Sequence, residues 1–136
     1  MEYLTIEEAA KFHGHLGPFL LLGYMAGTLA RETLKPKDEH DLHAEVTLPL
    51  KTPYTCVVDG IQCSTRCTLG KLNIKIKPSN KEIITIMIKC KSSGKVLEIS
   101  VKSDILSKLT SFENLDEAVK WLQKLQLKEI FQYEFK

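Results

Sequence analysis

A chain of 136 residues with 43% hydrophobic content can bury a core without staples and is read as one domain over residues 1–136. The formal net charge is only +2, and no basic run is interleaved with aromatics, so a nucleic-acid partner is not expected. No apolar stretch approaches membrane-spanning length and the acidic start Met1-Glu2-Tyr3-Leu4-Thr5 lacks a basic leader region, so no membrane partner and a cytoplasmic location with reduced thiols are expected.

Thr5-Ile6-Glu7-Glu8 has the form of a capping box and predicts a short helix over Ile6–Phe12. Pro18 suits a helix's first turn and predicts a second helix, Pro18–Leu34, with Leu20, Gly23, Tyr24, Gly27 and Ala30 near one stripe. The glycines there favour close packing on a sheet or on another helix. Leu42–Leu50 alternates and predicts a strand; Pro49 to Pro53 breaks it, and Tyr54–Arg66 reads as a helix. Leu72–Lys77, Ile83–Cys90 and Lys95–Lys102 predict three strands of an antiparallel meander, with their lysines on solvated faces. Asp104–Leu109 and Asn114–Leu125 read as helices, and Phe131, Tyr133 and Phe135 alternate as a terminal strand or a docked tail. Helices and strands are segregated, which favours an α+β fold: an antiparallel sheet packed with N-terminal helices and a C-terminal helix.

Two segments carry chemistry. Phe12-His13-Gly14-His15-Leu16-Gly17-Pro18 holds two of the four histidines. Two apart on a helix they would diverge by about 200°, whereas a glycine-hinged loop can aim both at one ligand. Imidazole is the commonest metal ligand and a proton carrier near neutral pH. The second segment runs from Cys56 through Asp59, Gln62, Cys63 and Cys67 to Lys71. Cys56 and Cys63 lie about 20° off one helical line, and Cys67 joins them if the helix runs so far. Each thiol also reads as a small core hydrophobe, above all Cys63 and Cys90. Gly70-Lys71 lacks the first glycine of a phosphate loop, and Leu72 follows the lysine. Gly70 can end the helix, and Lys71 is either a surface lysine or a group that lowers a thiol's pKa. No CxxC pair exists for a zinc ribbon, so any metal site must be assembled in three dimensions from imidazole and thiolate. His40 reads as a surface histidine of a polar connection, whereas His43 stands at the start of the strand and its reading is left open.

Together the two segments resemble the signatures of the E-subunit family of formylmethanofuran dehydrogenase. Phe12–Pro18 with Leu22-Gly23-Tyr24-Met25 looks like the first; Cys56–Gln62, continuing through Cys67-Thr68-Leu69-Gly70-Lys71 to Asn73, looks like the second. The resemblance implies an α+β domain, often dimeric, with a transition metal, zinc foremost and iron or nickel as alternatives. By position it implies His15, Cys56 and Cys67 as metal ligands, with His13 next. It implies Asp59 and Lys71 as catalytic groups, with Asp59 also able to accept a hydrogen bond from an imidazole, and Gln62 at the cofactor. Implied partners are a second copy and the subunits of a molybdopterin or tungstopterin oxidoreductase of one-carbon chemistry. Gly17 stands where many relatives have cysteine, and Arg66 where glycine is common. No cysteine follows Cys90, so the cysteine-rich zinc-binding extension of many relatives is not in this sequence. Three functions fit these residues: a metal-binding domain accessory to or derived from such an oxidoreductase, a stand-alone metalloenzyme or thiol redox protein using Cys56 and Cys67, and a non-catalytic interaction module.

Overall fold

The first helix, α1 (Ile6–His13), starts where its sequence closes a capping box. Thr5 Oγ1 accepts from the Glu8 N–H and Glu8 Oε1 accepts from the Thr5 N–H in the computed structural model, which describes residues 1–136. Gly14 ends it with φ of 119°, a conformation that L side chains rarely adopt. α2 (Pro18–Leu34) begins directly after the histidine loop, with Pro18 in its first turn. The chain continues through β1 (Leu42–Leu48), α3 (Cys56–Thr65), a 3-10 turn at Leu69–Lys71 and β2 (Ile74–Pro78). It closes with β3 (Thr85–Cys90), β4 (Val96–Val101), α4 (Ser103–Ser111), α5 (Leu115–Gln123), α6 (Leu127–Ile130) and β5 (Phe131–Phe135). The fold is α+β, as the segregation of elements implies. The aromatic tail is a true strand, pairing Tyr133 with Ile99.

The sheet runs β2-β1-β3-β4-β5. β3, β4 and β5 are antiparallel neighbours, but the expected three-strand meander is corrected at β2. β2 lies at the edge, parallel to β1, with Ala44 opposite Ile74 and Val46 opposite Ile76. Parallel neighbours need a crossover, and α3 lies within it. Alternation in β2 specifies which face is buried; it carries no information about the strand next to it.

One face of the sheet is buried against the helices, through Leu42, Ala44, Val46, Ile86, Ile88 and Ile99. The intervening residues, among them His43, Glu45, Met87, Lys89 and Glu98, form a polar face without helical cover. The glycines of α2 meet another helix, not the sheet. A side-chain carbon on Gly23 would collide with the Val57 carbonyl, and one on Gly60 with the Leu20 carbonyl and Tyr24 nitrogen. α2 and α3 therefore touch backbone to backbone. The N-terminal segment is tied across this pair: the Leu4 N–H donates to the Cys63 carbonyl, and Tyr24 Oη–H donates to the Leu4 carbonyl.

Candidate functional site

The α2–α3 contact decides the site's geometry. The histidine loop sits between α1 and α2, and Cys56 is the first residue of α3. Locking α2 onto α3 brings these segments together although they lie some forty residues apart in sequence. His13, His15 and Cys56 line one cavity of about 250 Å³, whose other walls include Pro18, Phe19 and Pro53, with Leu109, Phe112 and Leu115 arriving from the C-terminal half. The imidazoles of His13 and His15 are 5.4 Å apart between ring centroids.

Behind His13 stands a chain of hydrogen bonds. Its Nδ1 lies 2.6 Å from Asp59 Oδ2. The carboxylate accepts there, so a neutral ring keeps its lone pair on Nε2. Gln62 Nε2 donates to the other Asp59 oxygen at 3.2 Å, and Gln62 Oε1 accepts from the Leu69 N–H at 3.0 Å. The 3-10 turn thus fixes Gln62, Gln62 fixes Asp59, and Asp59 fixes His13. With its side chain only 13% exposed, His13 needs such a partner to satisfy its buried nitrogen. Asp59 and Gln62 act on the site through His13, since neither lines the cavity. His15 is exposed at the edge of the cavity, its Nε2 close to the space that Gly17 leaves empty.

Besides Asp59 and Gln62, which reach the cavity only through His13, two residues named from sequence lie apart from it. The first is Cys67. Arg66, at φ 69°, ends α3 one residue earlier, so Cys67 leaves the line of Cys56 and Cys63. It is fully buried, its Sγ–H donating to the Leu42 carbonyl at 3.3 Å and its N–H to Thr65 Oγ1. The second is Lys71, whose Nζ donates to Thr68 Oγ1 at 2.9 Å on the rim of a separate polar cavity with Lys37, Asp38 and Arg66. Gly70 does not end the helix either; Arg66 does. Sequence reasoning missed Thr110 and the α4–α5 connection as walls of the cavity, because nothing local marks a wall supplied from far along the chain.

Burial pushes the Cys56 thiol up, with the Asp59 carboxylate adding to the effect. The same two causes push Cys63 up to about 11, and burial raises Cys67. All four cysteines are free. Cys56, Cys63 and Cys67 are thus pushed towards the protonated, weakly nucleophilic thiol, and Cys56 and Cys67 are not joined to each other. The donors at the cavity, two imidazoles and a thiol, suit zinc and several other transition metals by chemistry. As the side chains stand, no three His, Cys, Asp or Glu residues converge to hold an ion.

The family model described as FmdE, molybdenum formylmethanofuran dehydrogenase operon, matches residues 12–134, nearly the whole chain and both motifs. The chain belongs to the FmdE family. Among curated proteins, this FmdE chain is similar to one from Archaeoglobus fulgidus described as a probable S-adenosyl-L-methionine-binding protein, 32% identical over 111 residues. The alignment takes in 79% of this chain and 29% of that relative, so the FmdE domain spans under a third of the longer protein. No helix of the FmdE chain is long and apolar enough to cross a membrane.

Proposed function

We propose that this FmdE domain binds a transition metal, zinc foremost, through His13, His15 and Cys56, as an accessory to or descendant of a formylmethanofuran dehydrogenase-type oxidoreductase. The observation that carries the reading is the meeting of the two motifs at one cavity, with His13 held by Asp59. A carboxylate on the far nitrogen is the arrangement that orients ligating histidines and raises their basicity. Binding requires the exposed His15 and the half-buried Cys56 to turn onto a common point with His13. The ion displaces the Cys56 proton, so affinity rises with pH. Three protein ligands leave a fourth position open, where zinc supplies Lewis-acid chemistry. Gln62 and Asp59 hold the imidazole; Cys67 and Lys71 take no part. The proposed partners are a second copy of the chain and molybdopterin or tungstopterin subunits.

The test is metal content per chain, on untagged protein purified without chelator. About one equivalent is expected. His15→Ala combined with Cys56→Ser should abolish it while thermal unfolding remains cooperative. Metal-free protein after exposure to zinc, iron and nickel would overturn the reading and leave the non-catalytic module. Light scattering and co-purification on the same samples test the partners: a monomer, or no pterin-enzyme subunit retained, removes that part of the proposal.

A further inference from the structure

The cavity presents one hydrogen-bonding atom whose role is fixed and which no protein group pairs. The His13 Nδ1–H is given to Asp59, so Nε2 of the neutral ring is an acceptor. Every side-chain nitrogen or oxygen sealed from solvent has a hydrogen-bond partner in this protein, and Nε2 has none. Nε2 is therefore reachable, although the His13 side chain is only 13% exposed. His13 lines the cavity and Asp59 does not, which puts the Nε2 edge of the ring on the cavity side.

The rest of the lining narrows what can pair with that acceptor. No aspartate, glutamate, lysine or arginine lines the cavity. The Thr110 hydroxyl is already bonded to the Leu106 and Ser107 carbonyls. His15, exposed at the rim, can turn either a donor or an acceptor to a ligand, and the Cys56 thiol is a weak donor. The other walls are predominantly apolar: Pro18, Phe19, Leu109, Phe112 and Leu115. The volume is about 250 Å³. Roughly 150 Å³ of apolar cavity is enough for benzene, so a ring with one substituent fits. An anion would meet a lone pair backed by the Asp59 carboxylate and no lysine or arginine. A cation would leave water for apolar walls with no carboxylate in contact. A hydrocarbon or an ether would cover Nε2 without replacing the hydrogen bond it makes to water. A neutral hydroxyl on an apolar body satisfies both the acceptor and the walls.

We propose that this cavity binds a small neutral molecule with one hydroxyl and a compact apolar body, of phenol size. The hydroxyl donates to His13 Nε2, and the body lies against Leu109, Phe112 and Leu115. Asp59 accepts from the other side of the ring, which holds Nε2 in place and strengthens it as an acceptor. The inference concerns the same cavity as the metal proposal and does not require the ion.

The experiment is an NMR titration of the chelator-treated full chain at pH 8 with phenol, against anisole, benzoate, benzylamine and methanol. Phenol should give saturable shifts in the millimolar range or tighter at Phe19, Leu109 and Phe112, together with a change in the His13 Nε2 nitrogen signal. Anisole keeps the ring and loses the donor, and it should bind at least about tenfold more weakly, as should the other three. In His13→Phe, phenol and anisole should bind alike; the comparison in the unaltered protein decides the matter whether or not that variant folds. Anisole binding as tightly as phenol overturns the hydroxyl contact. Benzoate or benzylamine binding as tightly overturns the neutral ligand, and methanol doing so overturns the apolar body. No saturable shift, or a shift only after zinc is added, overturns the proposal. Zinc uptake without phenol binding sinks this inference and leaves the metal reading standing; phenol binding without zinc uptake sinks only the metal reading.

Discussion

His13 and Asp41 show how single side chains are held in this protein. His13 is oriented at one nitrogen and left available at the other. Asp41 is saturated: it accepts from the Ser92 hydroxyl, the Ser92 N–H, the Lys37 N–H and the Cys90 thiol. The Ser92 hydroxyl is the largest cause holding its carboxyl well below the usual carboxylate range, with the Lys37 N–H next. Its folded value is depressed, so the stabilisation is present above the unfolded pKa of about 4 and is lost as pH falls towards the folded value. Urea unfolding between pH 6 and about 2.5 should therefore show declining stability below about pH 4, the side on which the unfolded state binds the extra proton. Asp41→Asn should flatten part of that slope; an unchanged slope would remove Asp41 from the account. At this scale the candidate site was half legible. Residue types and spacing singled out His13, His15, Cys56, Asp59 and Gln62. They could not separate Cys56 from Cys67, because the difference lies in Arg66. A glycine there would have advertised the left-handed turn that Arg66 makes at φ 69°.

Among the elements, α2 and α3 matter most, because their contact sets the separation of the two motifs. Three helix starts were readable from a side chain or a proline: Thr5 before α1, Pro18 in α2 and Asn114, which caps α5 by accepting from the Glu117 N–H. The α6 turn, four residues long, had no periodic pattern to betray it. Strand faces were readable from alternation, but strand neighbours were not, since pairing joins residues distant in sequence. That is why β2 was expected beside β3 and lies beside β1. Gly60→Ala should destabilise the protein by about 3 kcal/mol or more, because the added carbon meets backbone atoms that cannot rotate away. It should also weaken zinc binding in the proposed site without altering any donor. Gly70→Ala is the control: its φ is not positive and nothing lies within 4 Å of the new carbon, so denaturant midpoints should barely move. Equal midpoints for both variants would refute the backbone contact.

For the whole molecule, the consequence is a division of labour between two layers. The helical layer holds both motifs, and the sheet's inner face supplies much of the core beneath it. The outer face carries Lys75 on β2, Lys89 on β3 and Glu98 on β4 and has no part in the cavity. Lys75→Gln with Lys89→Gln should change stability by less than about 0.5 kcal/mol per site and leave metal content untouched, as thermal melts and metal analysis would check. The edges of the sheet are guarded differently. β2 ends in Pro78 and bears Lys75 and Lys77, features that discourage pairing with another strand. β5 offers Gln132 and Glu134 beside its aromatics. Because the bare face points away from the histidine loop, it is the natural place for a tether. A biotin or dye attached at position 89 would leave the cavity mouth turned towards solution, so an immobilised layer of this protein would present its ligand-facing side to whatever flows over it.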